Sequence, residues 1–281
     1  MTLSGRDPAG IPARAIGILT ATWDELATIG AELSESAWKQ PTELPGWTVQ
    51  DVLSHIIGTE SFLQGLPAAE RCRDAGDHVR NPIGELNENE VAARRAMRGA
   101  AVLAEWNDVR SQRAHTLAHG DAEYFAQPMS TPTGPGTMTD FLELRILDCW
   151  IHEQDIRRTV GIPGNLGGAA AEHTVDRLIR TIPMVIGKRA ACPEGRAVGV
   201  RIVGGVERHL MCEVRNGRAG FVEEPSSAPI CAIEMDTDMF VVLATGRQDP
   251  AGLLDRIGIF ADDAAGIELG RLAVTRLNMM I

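Results

Sequence analysis

Arg145-Ile146-Leu147-Asp148-Cys149-Trp150-Ile151-His152-Glu153-Gln154-Asp155 is the stretch on which the reading of this chain turns. Arg145, Asp148, His152 and Asp155 recur at i, i+3, i+7 and i+10, which sets all four on one stripe of a helix. A second histidine, His55, closes Leu44-Pro45-Gly46-Trp47-Thr48-Val49-Gln50-Asp51-Val52-Leu53-Ser54-His55, and this stretch also reads as a helix after a breaker-rich start. A carboxylate one turn before a histidine, joined by a histidine from another helix, is how a bundle builds a three-ligand metal site in its interior. Three protein ligands leave a coordination position open, and an open position suggests catalysis rather than scaffolding.

Outward from these stretches, the first half keeps a helical period. Ile16, Leu19, Trp23, Leu26 and Ile29 make an apolar stripe within residues 11–33. Thr48 reads as an N-cap with Asp51 at the third position, starting a helix that runs to about residue 63. Residues 67–82 are polar and irregular. Residues 88–118 read as a third long helix, with Val91, Met97, Val102, Leu103, Trp106 and Val109 apolar. Ser-Thr-Pro-Thr-Gly-Pro-Gly at 130–136 reads as a loop. The helix of the second histidine begins near Thr137 and stops before Gly161-Ile162-Pro163-Gly164. Four long helices predict a four-helix bundle over residues 1–164.

Gly161 to Gly168 is the candidate boundary, and residues 165–281 read as a small α+β domain. One helix is expected over 169–186. The period then changes, and 197–203, 208–214, 220–222 and 230–235 read as short strands. Asn216-Gly217 is a hairpin signal. Residues 238–246 and 250–261 return to helical spacing, and 266–277 reads as a last helix.

Composition narrows the function. A chain of 281 residues exceeds what one core usually serves. A formal charge of −11 argues against a nucleic-acid partner, which needs a basic face. No apolar run approaches the ~20 residues of a membrane helix, and Met1-Thr2-Leu3-Ser4-Gly5-Arg6-Asp7-Pro8 lacks the apolar core of a signal peptide, so a cytoplasmic location is expected. The five cysteines are odd in number and form no C-x-x-C pair, which fits reduced thiols. The chain has no Walker loop, no G-x-G-x-x-G and no G-x-S-x-G.

Trp47 to His55 fits W-[ST]-V-x-D-[VL]-x-x-H, and Arg145 to Asp155 fits R-x-x-[ED]-x-x-x-H-x-x-D. In this order and separation, with Gly161-Ile162-Pro163 following, they resemble the mycothiol-dependent maleylpyruvate isomerase family. The resemblance implies a DinB-like metal-binding bundle followed by a sterol-carrier-like α+β domain. Beyond Gly164 it rests mainly on Leu243-Ala244-Thr245-Gly246-Arg247. It implies a divalent metal, usually zinc with nickel as another candidate, held by His55, Asp148 and His152. The family commonly has glutamate where this chain has Asp148. The shorter aspartate must approach the metal through a closer backbone or bind through water. Cys149 is a second-choice soft ligand, because it points about 100° round the helix from Asp148.

The family's cofactor is the thiol mycothiol, and a metal with an open position would lower the pKa of that thiol. In an isomerase the thiolate adds to a conjugated cis double bond, allows rotation and leaves; in an S-transferase it stays on the product. Arg247 matches a position that would hold a substrate carboxylate. The expected partners are this thiol and a small electrophile, with no nucleic acid and no membrane, in a monomer or homodimer. The alternatives are a metal-dependent hydrolase and a non-catalytic DinB-like protein that binds an apolar ligand or regulates a partner. Plainer roles stand beside the sharp ones: Asp148 paired with Arg145, Asp155 paired with Arg158 rather than accepting from His152, Asp51 serving the helix start rather than orienting His55, and Trp47 and Trp150 packing in the core rather than stacking on substrate. His115 and His119, at i and i+4, read as solvated.

Overall fold

The computed structural model describes residues 10–278, so the N-terminal stretch read for a signal peptide lies outside the described residues. The chain divides between Gly164 and Asn165 into two compact units.

In the first unit, the stripe of α1 (Ala13–Glu32) buries Leu19, Trp23 and Leu26. A short α2 (Glu35–Trp38) leads to α3 (Val49–Leu63). Thr48 and Asp51 form a full capping box there: Asp51 N–H donates to Thr48 Oγ1 at 3.3 Å, and Thr48 N–H to Asp51 Oδ2 at 2.8 Å. The expected third helix is instead two, α4 (Pro82–Arg94) and α5 (Gly99–His119). Distant side chains hold the break. Gln50 Nε2 donates to Arg94 O at 2.8 Å, Lys39 Nζ to Met97 O at 2.8 Å, and Gly99 N–H to the Glu35 carboxylate at 3.1 Å. These bonds satisfy backbone groups that a continuous helix would have paired internally.

After α6 (Ala122–Ala126), the expected 130–136 loop is a hairpin, β1 (Pro128–Thr131) with β2 (Gly134–Thr137). Gly134, at φ 117, makes the reversal, and Thr131 Oγ1 donates to Gly134 O at 2.7 Å. Then α7 (Met138–Val160) starts on a second capping box, Thr137 with Asp140, and stops on left-handed Gly161 at φ 70. Helices α1 and α3 each pack on both α5 and α7, which closes a four-helix bundle. Trp23 and Trp106 meet edge to face in its core, with ring centroids 6.1 Å apart.

The second unit begins with α8 (Gly168–Leu178), shorter than the expected helix. The chain continues through a 3-10 turn, α9 (Ile182–Met184) and a π turn at Val185–Arg189. Pro183 lacks the N–H that an unbroken α-helix would use here. The sheet runs in the order β5-β4-β3-β6-β7, with β3 (Ala197–Val203), β4 (Arg208–Arg215), β5 (Arg218–Phe221), β6 (Cys231–Asp236) and β7 (Gly258–Phe260). Within this sheet β3 pairs with β6 in parallel, and the other three pairings are antiparallel. Asn216 and Gly217 both take positive φ, 54 and 73, as a type I′ hairpin requires. After β6 comes α10 (Thr237–Ala244). The expected helical stretch 250–261 is two 3-10 turns followed by β7, and α11 (Ala264–Thr275) packs on β6 and β7.

Candidate metal centre

The capped start of α3 fixes the phase in which His55 enters the bundle two turns on, and α7 brings Asp148 and His152 to it. The imidazoles are each 6% exposed as residues, and ligand atoms of His55, Asp148 and His152 all lie within 4.8 Å of one another. His55 Nε2 is 3.3 Å from Asp148 Oδ2, and His152 Nε2 is 3.6 Å from Asp148 Oδ1. Four-coordinate zinc with bonds of ~2.0–2.1 Å spaces neighbouring ligand atoms ~3.3–3.4 Å apart, so the two histidine–aspartate separations suit ligands of one cation.

The environment sets the protonation the ligands need. Burial lowers the His55 pKa despite the opposing pull of Asp148, which favours the neutral, lone-pair form. Burial works against the charge of Asp148, yet Arg145 and the two histidines hold its carboxyl well below the usual range. His55 Nδ1 is buried with no hydrogen-bond partner among the described residues. If Nε2–H donates to Asp148, Nδ1 keeps a stranded lone pair; if Nδ1 carries the proton, the Nε2 lone pair faces a carboxylate. A cation between Nε2 and the carboxylate removes that repulsion and leaves Nδ1–H as a buried donor without an acceptor among the described residues, so the donor set fits a metal through Nε2.

Two expected alternatives are both present at Asp155. Its Oδ2 lies 3.0 Å from His152 Nδ1, and its Oδ1 accepts from Arg158 Nη2 at 2.7 Å. The first contact assigns the proton to Nδ1 and leaves Nε2 as the donor atom. Arg145 is ion-paired with Asp148 and donates through Nε to Glu60 Oε1 at 2.7 Å. Cys149 is buried, takes Arg145 Nη2 at 3.3 Å on its sulfur, and has its thiol pKa pushed up by burial, so it is a poor thiolate ligand. Asp51 serves the helix start.

Trp47 departs from its expected core role. It is half-buried, with its ring centroid 5.4 Å from His55 and 6.4 Å from His152. Trp150 is in the core, and His115 and His119 are exposed. Arg247 lies in the second unit just past α10, where Nη1 donates to Thr245 O at 3.2 Å. Sequence reasoning missed Glu60 and Arg113, which pair in the bundle core with neither side chain exposed. The signal was there: Arg113 interrupts the stripe Val109, Arg113, Leu117, and Glu60 sits among Ile56, Ile57 and Leu63.

A capped helical bundle with a buried His-Asp-His cluster, followed by an α+β unit, defines the class. Residues 19–157 match the mycothiol maleylpyruvate isomerase N-terminal domain, a span that contains all three clustered residues. The first unit thus carries that family's N-terminal domain. Two uncharacterized proteins of Mycobacterium tuberculosis, one from strain CDC 1551 / Oshkosh and one from H37Rv, are each 24% identical over 168 residues. The match covers 54% of this chain, and the chain spans only 58% of the length of these relatives. The crystal structure of the mycothiol-dependent maleylpyruvate isomerase shares the fold at a TM-score of 0.56 and 13% identity, over 88% of this chain and 92% of that one. A histidine-to-alanine mutant of that enzyme matches over the same shares, at a TM-score of 0.54 and 12% identity. Among the described residues, no helix is long and apolar enough to cross a membrane.

Proposed function

We propose that this chain is a metal- and mycothiol-dependent enzyme of the maleylpyruvate isomerase or thiol S-transferase type, with His55, Asp148 and His152 as its metal ligands. The observation that carries the reading is the buried His-Asp-His cluster, seated inside the span that matches the family's domain. A divalent ion there would supply Lewis acidity, lowering the pKa of a thiol that reaches its open position. Two imidazole nitrogens and one carboxylate oxygen suit zinc, and nickel accepts the same donors.

The chain's own residues prepare the site. Burial favours the neutral form of His55, Asp155 orients the His152 ring, and Arg145 restrains the Asp148 carboxylate. Arg247 is our candidate for holding a substrate carboxylate, on the ground that its guanidinium fork matches that group. The described cysteines are all unpaired, which supports a reducing compartment such as the cytoplasm.

The test combines elemental analysis of the purified protein with an assay of maleylpyruvate and mycothiol. We expect one divalent ion per chain and thiol-dependent turnover. A thioether product assigns the transferase type, and regenerated thiol the isomerase type. Protein that takes up neither zinc nor nickel overturns the metal reading, and ester or amide hydrolysis without thiol replaces it with the hydrolase.

A further inference from the structure

We propose that Trp47 forms a wall of the metal centre in contact with the bound thiol, and that Glu88 is the positioning residue that holds it there. The inference rests on the reading of His55, Asp148 and His152 as metal ligands, and goes on to say what stands beside the open position.

Geometry places the indole. Its plane tilts 36° to the His55 ring and 38° to the His152 ring, while those two rings meet at 73° with centroids 5.0 Å apart. The indole thus flanks both imidazoles, and it keeps part of its surface open. A tryptophan that only filled the core would be covered, as Trp23, Trp106 and Trp150 are.

The residue is fixed at both ends. Trp47 Nε1 donates to Glu88 Oε2 at 3.0 Å. Glu88 is fully buried, and burying a carboxylate is costly unless its oxygens are partnered. Its partners are His78 Nε2 at 3.1 Å and Arg95 Nη1 at 2.8 Å, besides the indole. On the backbone side, Trp47 O accepts from Thr42 N–H and from Thr42 Oγ1, both at 2.9 Å, and Trp47 N–H donates to Leu44 O at 3.1 Å. Gly46 turns at φ 79, and a Cβ there would lie 2.7 Å from the His78 ring, so the turn and the Glu88 cluster are built against each other. A half-open aromatic ring with its side chain and backbone both restrained is preorganised for contact.

The chemistry of the wall selects its ligand. A flat, polarizable face beside a metal favours a sulfur and the carbons next to it through sulfur–aromatic contact.

The test uses the cobalt(II)-loaded full chain as parent, Trp47→Leu, Glu88→Gln and the double variant, with mycothiol as the probe. Bound metal, thiol Kd and tryptophan emission are measured for each. Trp47→Leu is expected to keep its metal and to raise the thiol Kd about three- to tenfold. Glu88→Gln is expected to raise Kd by a similar factor and to weaken the cobalt-dependent quenching that belongs to Trp47. In the double variant, loss of Glu88 adds nothing further, which a merely structural role would not produce. Should Glu88→Gln fail to fold, Glu88→Asp takes its place. Unchanged thiol affinity in metal-loaded Trp47→Leu overturns the proposal, as does additivity in the double variant or loss of metal from Trp47→Leu. A parent that takes up no metal overturns the ligand assignment and this proposal together.

Discussion

His152 shows at the scale of one residue how this site is prepared. Asp148 faces its Nε2 at 3.6 Å and Asp155 faces its Nδ1 at 3.0 Å, so one carboxylate shares the ligand side while the other fixes the tautomer. If His55 and His152 hold a metal as proposed, replacing either with alanine is expected to release it while the far-UV circular dichroism of the bundle survives. A double variant that still bound stoichiometric metal would contradict the assignment. Asp155→Asn is a finer probe, because it leaves all three ligands in place. It should weaken metal binding about 10- to 100-fold in competition with a chelator. The stripe from Arg145 to Asp155 was legible in the sequence because one helix carries it. Trp47 was not, because its proximity to His152 depends on two elements meeting and on an anchor, Glu88, that lies 41 residues further on.

At the scale of elements, legibility followed how local the signal was. The two helices that carry the His-Asp-His cluster begin on capping boxes formed within four residues, and both starts were readable. The break between α4 and α5 was not, because Lys39, Gln50 and Glu35 stabilise it from across the fold. Strand β7 was missed because three residues are too short to show a period. The break is testable at Gly99. Helix propensity alone would favour Gly99→Ala by up to ~1 kcal/mol. However, a Cβ there would stand 2.2 Å from Trp38 Cδ1, and the Trp38 indole is buried. Displacing that ring should dominate, and urea unfolding should show a net loss of about 1–3 kcal/mol.

Strand β4 supplies a pH prediction. The Arg215 guanidinium, 2.6 Å from Glu213 Oε2, holds the Glu213 carboxyl down from 4.5 to about 2, against the effect of burial and with help from Ser226. A carboxylate depressed in the folded state stabilises fully above its unfolded pKa and loses that contribution as pH falls through the folded value. The Tm gap between the parent and Glu213→Gln should therefore be constant above about pH 5 and close between about pH 4.5 and 2. A gap that widened on acidification would refute the assignment.

For the whole molecule, the question is how much chemistry the first unit holds by itself. The His-Asp-His cluster lies entirely before Gly164, whereas Arg247 lies after it. Gly161, Pro163 and Asn165 are exposed, and Gly161, Gly164 and Asn165 take positive φ, so this stretch lies at the surface outside regular secondary structure. From Leu166 onward the backbone is held within the second unit: a Cβ on Gly205 would lie 2.1 Å from Leu166 O. Limited proteolysis of the intact chain should accordingly cut first within 161–165, and mass spectrometry of the fragments reads the position directly. The N-terminal fragment should retain its metal, because no ligand is lost. If Arg247 holds the substrate carboxylate, the fragment should lose turnover while Arg247→Lys in the intact chain keeps the metal and raises KM, since an ammonium supplies charge without the two-pronged geometry. A fragment as active as the intact chain would confine the chemistry to the bundle and remove Arg247 from it.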